Sequence, residues 1–231
     1  MMTICTLKLK WLGFCLSCSV NILDEHKQFK FSAATIGIPL YTVLLLWIIF
    51  WIEIKFDFYF SKYGLYPRTF TGLRGIVLSP FIHGSAQHLF NNSIPLLVLF
   101  TTLLYFYREI AWKVLLYGML LLGFITWLIA RPSYHIGASG VIYLLFSFIL
   151  SSGIIRKYYR LVAVSLIVIF LYGSMIWYIF PISEEISWEG HLSGFITGLL
   201  FAIIYRNHGP QRAKYEWEDD DYVDEDLEDN L

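Results

Sequence analysis

Six long apolar runs, separated by short polar connectors, decide what this chain can fold into. They fall at about residues 36–54, 86–107, 111–130, 138–155, 161–180 and 189–205. An α-helix needs about 20 apolar residues to cross the hydrocarbon core of a bilayer. Backbone polar groups find no water there, so a spanning segment must satisfy its own hydrogen bonds. The expectation is an all-α membrane protein, a bundle of six transmembrane helices. Composition agrees: 15% of the 231 residues are charged and 57% are hydrophobic, against about 25% charged in a soluble domain. The runs leave no room for a soluble domain beside them.

Charge divides the chain into three parts. Residues 1–35 read as a leader or interfacial segment: Lys8 and Lys10 precede a short apolar stretch, Trp11 to Cys18, that resembles a weak signal peptide. Residues 36–206 form the membrane domain. Residues 207–231 form an acidic tail, read as solvated and disordered; residues 215–231 hold ten of the eighteen acids and no Lys or Arg. Cys5, Cys15 and Cys18 all lie in the leader. A lone CxxC pair is weak evidence for redox or metal chemistry, and disulfides do not shape the core.

Basic residues set the orientation. Lys27 and Lys30 precede the first run, Arg108 and Lys113 join the second to the third, Arg156, Lys157 and Arg160 join the fourth to the fifth, and Arg206, Arg212 and Lys214 follow the sixth. The opposite side carries Arg131, Glu184, Glu185 and Glu189. Both termini are therefore expected on the cytoplasmic side of a multi-pass protein, with a bacterial inner membrane as the expected location. The segment from Lys55 to Ser85 is too long and too amphipathic for a plain connector. It is expected to lie partly in the lipid headgroups.

Three polar clusters interrupt the apolar runs: His83 to Asn92, Gly137-Ala138-Ser139-Gly140, and Gly190-His191-Leu192-Ser193-Gly194. Polar side chains inside a membrane are costly and point to function by default. The orientation places all three at one end of the bundle and at a similar depth. A serine hydroxyl needs a base within hydrogen-bond reach to become a nucleophile, and His191 is the candidate for Ser139. Glu189, two residues before His191, stands about 200° round a helix from it, so a Ser–His dyad is expected rather than a triad.

The remaining residues suit that chemistry. Acyl transfer requires donors for a developing oxyanion, and the amides of Ala138 and Ser139, free at a helix start, are candidates. His88 and Asn92 lie four apart and share a helix face, with Asn91 a competitor at i+3. Gly194 and Gly198 form the small-xxx-small spacing that lets membrane helices pack closely, with His191 on the same face. Tyr143 lies one turn beyond Ser139, where it could stack on His191.

On these residues the chain resembles the rhomboid family of intramembrane serine proteases. The matching patterns are His83-x4-His88-x3-Asn92, Gly137-Ala138-Ser139-Gly140-x2-Tyr143 and His191-x2-Gly194-x3-Gly198, and the likeness covers about residues 36–206. It implies a six-helix rhomboid-like bundle with a long interfacial first loop, Ser139 as nucleophile and His191 as base. It implies that His88 and Asn92 (rather than Asn91) assist the oxyanion, that Tyr143 packs on the histidine, and that His83 organises the entry to the second span. It further implies transmembrane proteins as substrates, cut near a non-cytoplasmic end, with no metal and no cofactor. The partners expected are these substrates and membrane lipid, not nucleic acid. The family's first-loop arginine, eight residues before the first histidine, falls here on Gly75, and Arg74 is expected to serve its structural purpose. The rival expectations are a non-catalytic rhomboid-like protein that binds membrane clients, and a small transporter. The transporter would show internal repeats, and none is seen.

Overall fold

Helices occupy the apolar runs because helical hydrogen bonds close within the segment that makes them. The computed structural model describes residues 32–171, 177–181 and 186–210. Within these, α1 is Ala33–Lys55, α2 Ala86–Phe106, α3 Ala111–Ile129, α4 Ser139–Ile155, α5 Tyr159–Leu171 and α6 Trp188–Ile204. Ser85 caps α2 by accepting from the His88 amide at 3.1 Å, the standard way to satisfy an orphan N–H at a helix start. Residues 1–31 of the leader with all three cysteines, the tail from residue 211 and the acids Glu184 and Glu185 lie outside the described residues, while residues 33–35 open α1.

By length and composition α1, α2 and α3 can each cross a membrane; α4, α5 and α6 are apolar but shorter. The fifth apolar run differs from expectation. Its helix starts at Tyr159, and residues Trp177–Ile179 form a separate 3-10 turn shortly before Pro181.

The bundle is built around α4, which packs against α2, α3, α5 and α6 and is buried almost continuously from Val141 to Ile149. Its contact with α6 is the most extensive between helices among the described residues. The two helices run parallel, and two glycines explain how close they come. A Cβ on Gly194 would collide with the Gly140 carbonyl, and one on Gly198 with the Leu144 carbonyl. Ser147 adds a bond across the seam, its hydroxyl donating to the Phe195 carbonyl at 2.7 Å. By contrast, α1 packs mainly on α2 and leaves Leu40, Tyr41, Leu44, Trp51 and Ile54 exposed.

The long first loop folds into short turns rather than hanging free: Phe60–Tyr63, Thr71–Arg74, the four-residue helix Gly75–Leu78, and Ser79–Phe81. Arg74 Nη2 donates to the Lys62 carbonyl at 2.9 Å and its guanidinium lies 4.7 Å over the Tyr63 ring. Gly75 has no room for any side chain, since a Cβ there would run into the Leu65 backbone. Arg68 Nη1 donates to the carbonyls of Leu128 and Ala130 at 3.2 and 2.8 Å, capping α3. Leu65 and His135 exchange both backbone hydrogen bonds, at 3.0 and 2.8 Å, in an isolated antiparallel bridge. The loop is thereby fastened to the residues just ahead of α4.

Candidate active site

Two helix starts converge at this end of the bundle. Ser139 is the first residue of α4, and His191 lies in the first turn of α6. The backbone contact at Gly194 brings these ends together, and Ser139 Oγ lies 2.9 Å from His191 Nε2. His191 Nδ1 lies 2.8 Å from the Tyr178 carbonyl oxygen. A carbonyl can only accept, so Nδ1 carries the proton and Nε2 presents its lone pair to the serine. The Tyr143 ring stacks on the imidazole, centroids 4.3 Å apart and planes inclined by 20°. His191 is thus held at both nitrogens and on one face, and it is 5% exposed. This geometry lets the imidazole remove a proton from the serine hydroxyl.

Glu189 does not take part. Its side chain is buried, and its carboxylate turns to Arg131: Oε1 accepts from the Arg131 amide at 3.2 Å and pairs with Nη1 at 3.6 Å. The group orienting the histidine is instead a backbone carbonyl. Sequence reasoning missed it because Tyr178 acts through its main chain, which leaves no side-chain signature.

The second cluster gathers around Gly137, two residues before the serine. Gly137 has φ +106°, a conformation that favours glycine. It has no space either: a Cβ would come within 2.6 Å of His88 Cε1 and 3.6 Å of Asn92 Nδ2. Asn92 Nδ2 is buried and has no hydrogen-bond partner. Asn91 points outward, exposed, where its Oδ1 accepts from Gln87 Nε2 at 2.8 Å. Of the two asparagines, Asn92 is the one that lies beside Gly137.

Ala138 departs from the expected arrangement. Its amide does not face the serine as a free donor; it donates to His83 Nε2 at 3.3 Å. The His83 ring is buried and meets His88 edge-on at 5.1 Å. Burial first, then the neighbouring His88, lower its pKa from 6.5 to about 3, the Phe81 backbone bond working the other way. A neutral His83 can accept at Nε2. The candidate donors that remain are the Ser139 amide at the first helical position, outside the helix ladder, and, beside Gly137, Asn92 Nδ2 and the His88 ring. Behind Ser139 a small cavity opens between α3, the first loop and the start of α6, lined in part by Thr126, His135, Ser187 and Gly190.

Comparison with known proteins gives a consistent result. The family model for the Rhomboid domain matches residues 71–208. An uncharacterized protein of Mycobacterium tuberculosis is 36% identical over 152 residues, covering 61% of this chain and 62% of its own length. A counterpart from Mycobacterium bovis matches to the same extent, and one from Mycobacterium leprae is 34% identical over 146 residues, 57% of this chain and 56% of its own. The matched region thus spans about three fifths of the length of these relatives.

Proposed function

The chain belongs to the rhomboid family, and on that premise we propose that it is an intramembrane serine endopeptidase working through Ser139 and His191. The observation that carries this reading is the 2.9 Å contact between Ser139 Oγ and His191 Nε2 with Nδ1 committed to the Tyr178 carbonyl. A serine paired to an imidazole of the correct tautomer is the arrangement that acyl transfer requires.

In this reading all six helices cross the membrane with both termini cytoplasmic. Helices α4 and α6 have 17 residues each, a rise of about 25 Å, which is about 5 Å short of the hydrocarbon thickness. With their far ends held at the interface by Arg156, Lys157 and Arg206, Ser139 and His191 start below the opposite surface. They remain within reach of water through the cavity beside them.

A substrate helix enters laterally and its end unwinds over Ser139, because a helical peptide bond offers no free carbonyl carbon. His191 Nε2 takes the hydroxyl proton as Ser139 Oγ bonds to that carbon. The carbonyl electrons move to an oxyanion held by the Ser139 amide, Asn92 Nδ2 and His88. The C–N bond then breaks, with the proton passing from His191 to the departing amine. Water, deprotonated by the same imidazole, attacks the acyl-enzyme, and the proton returns to Ser139 Oγ as the ester opens. Tyr143 keeps the imidazole from swinging away. The substrates proposed are single-span membrane proteins cut near their non-cytoplasmic ends.

The test uses the full chain in liposomes with a single-span reporter helix and a fluorophosphonate probe. Wild-type protein should cleave the reporter and take the label, and Ser139→Ala should do neither. Reporter cleavage retained in Ser139→Ala would refute the assignment. Absence of labelling in the wild type would favour the non-catalytic, client-binding reading instead.

A further inference from the structure

Ser187 immediately precedes α6 at its N-cap position, yet its hydroxyl makes no cap bond to the helix. Serine is favoured at this position because its oxygen accepts from a free amide one turn on. Here the hydroxyl lies 2.6 Å from His135 Nδ1. The other ring nitrogen of His135 lies 3.1 Å from the Arg131 carbonyl and 3.3 Å from Ser133 Oγ. The Arg131 carbonyl can only accept, so Nε2 carries a proton, and in the neutral ring Nδ1 accepts from Ser187. Burial, opposed by the Arg131 backbone bond and by the Glu189 charge, lowers the His135 pKa, and the side chain is 5% exposed.

The ends of this link are informative. His135 is fixed through its backbone to Leu65 of the first loop and stands four residues before Ser139. Ser187 accepts the His191 amide through its own carbonyl at 3.3 Å and stands four residues before His191. One side-chain hydrogen bond therefore joins the segment that delivers the nucleophile to the segment that delivers the base. The ion pair of Arg131 with Glu189, and the bond from Arg131 Nη2 to the Ile186 carbonyl at 2.8 Å, span the same two segments nearby.

We propose that His135 is a positioning residue for the reactive pair, fixing the start of α6 through Ser187 so that His191 meets Ser139 at hydrogen-bonding distance. It touches neither the nucleophile nor the base. The inference rests on the protease reading and adds to it a second histidine with a defined tautomer. A shift of about 1 Å between nucleophile and base is enough to cost up to a hundredfold in rate.

The experiment measures the rate of fluorophosphonate labelling of Ser139 in the full chain reconstituted in liposomes, with thermal unfolding followed in parallel. His135→Phe keeps a ring and loses the acceptor; Ser187→Ala loses the hydroxyl. Each should slow labelling by about tenfold to a hundredfold. The double variant should be no slower than the slower single variant, because both changes break one bond. His135→Asn places an amide oxygen where Nδ1 stood and should recover labelling to within about threefold of wild type. If His135→Phe does not fold, Ser187→Ala decides alone: slowed labelling supports the link, and wild-type labelling overturns it. Losses that simply add in the double variant, or an Asn variant as slow as Phe with its fold intact, would also overturn it while leaving the protease reading untouched. A wild-type chain that takes no label at all overturns both.

Discussion

The α4–α6 pair has two ends that the same physics treats in opposite ways. Both helices begin at the Ser139 end, so their free amides and positive dipole ends converge there. Both finish at the other end, where free carbonyls converge. Arg156 answers that need: Nε donates to the Arg206 carbonyl at 3.0 Å, Nη2 donates to the Tyr205 carbonyl, and the guanidinium lies 5.1 Å over the Tyr107 ring. At the Ser139 end Asn92 keeps a buried amide unpartnered, and the first-turn acid Glu189 is turned to Arg131 rather than to the serine. One end of the pair carries a charge of the right sign, although Arg156 Nη1 stays without a partner there. On the proposed reading, the other end receives the negative charge of an oxyanion. An unsatisfied donor is a cost in a finished fold and an asset in a site where an oxyanion forms.

The comparison breaks hardest at His191. Replacing His191 with Ala should lower the Ser139 labelling rate by at least about 10³-fold, with a thermal midpoint close to wild type. Packing at Gly194 and Gly198, not the imidazole, holds the helices together. A loss of folding equal to the loss of labelling would mean that the histidine is structural and that the two ends do not differ in kind.

The next largest effect is expected at Asn92. Asn92→Ala should slow reporter cleavage about 10²-fold to 10³-fold, the range seen when one oxyanion donor is removed. Stability should be unchanged or slightly raised, because a buried unpartnered amide is lost. Cleavage within threefold of wild type would remove Asn92 from the site and leave the Ser139 amide and His88 as donors.

At the far end the signs reverse. Arg156→Leu should destabilise the protein by about 1–3 kcal/mol, the cost of losing the bonds from its charged guanidinium to the Tyr205 and Arg206 carbonyls. Labelling per folded molecule should stay at the wild-type rate. Parallel unfolding and labelling measurements separate the two, and slower labelling in the folded fraction would show that the ends are coupled along α4.

What the sequence revealed of this asymmetry, and what it hid, follows from how each group acts. Ser139, His191, His88 and Asn92 were legible because a polar side chain in an apolar run stands out and because helical spacing puts Asn92 beside His88. Gly194 and Gly198 were legible as the closest-approach pair. The Tyr178 carbonyl was not, since every residue has one. The Ala138 amide was misread as a free donor because no pattern in the chain says that His83, 55 residues away, claims it. His135 lay just outside the Gly137 cluster, and the signal that marks it is that histidine is scarce here, with six in 231 residues. The position of α4 at the centre and α1 at the edge was also hidden. Both are apolar almost all round, and lipid and protein core reward the same side chains.

The smallest effect probes the remaining contact on the histidine. Tyr143 is buried and its ring is stacked on the imidazole. If the ring holds His191 by its face alone, Tyr143→Phe keeps the stack and should change the labelling rate by less than about twofold, because the flat surface that limits imidazole rotation is unchanged. Tyr143→Ala removes that surface. It should slow labelling by about tenfold, as the imidazole spends more of its time away from the serine. The order of the two variants is the informative quantity. A Phe variant as slow as Ala would assign the role to the phenolic hydroxyl, adding a polar group to the end of the helix pair where Asn92 keeps its buried amide unpartnered.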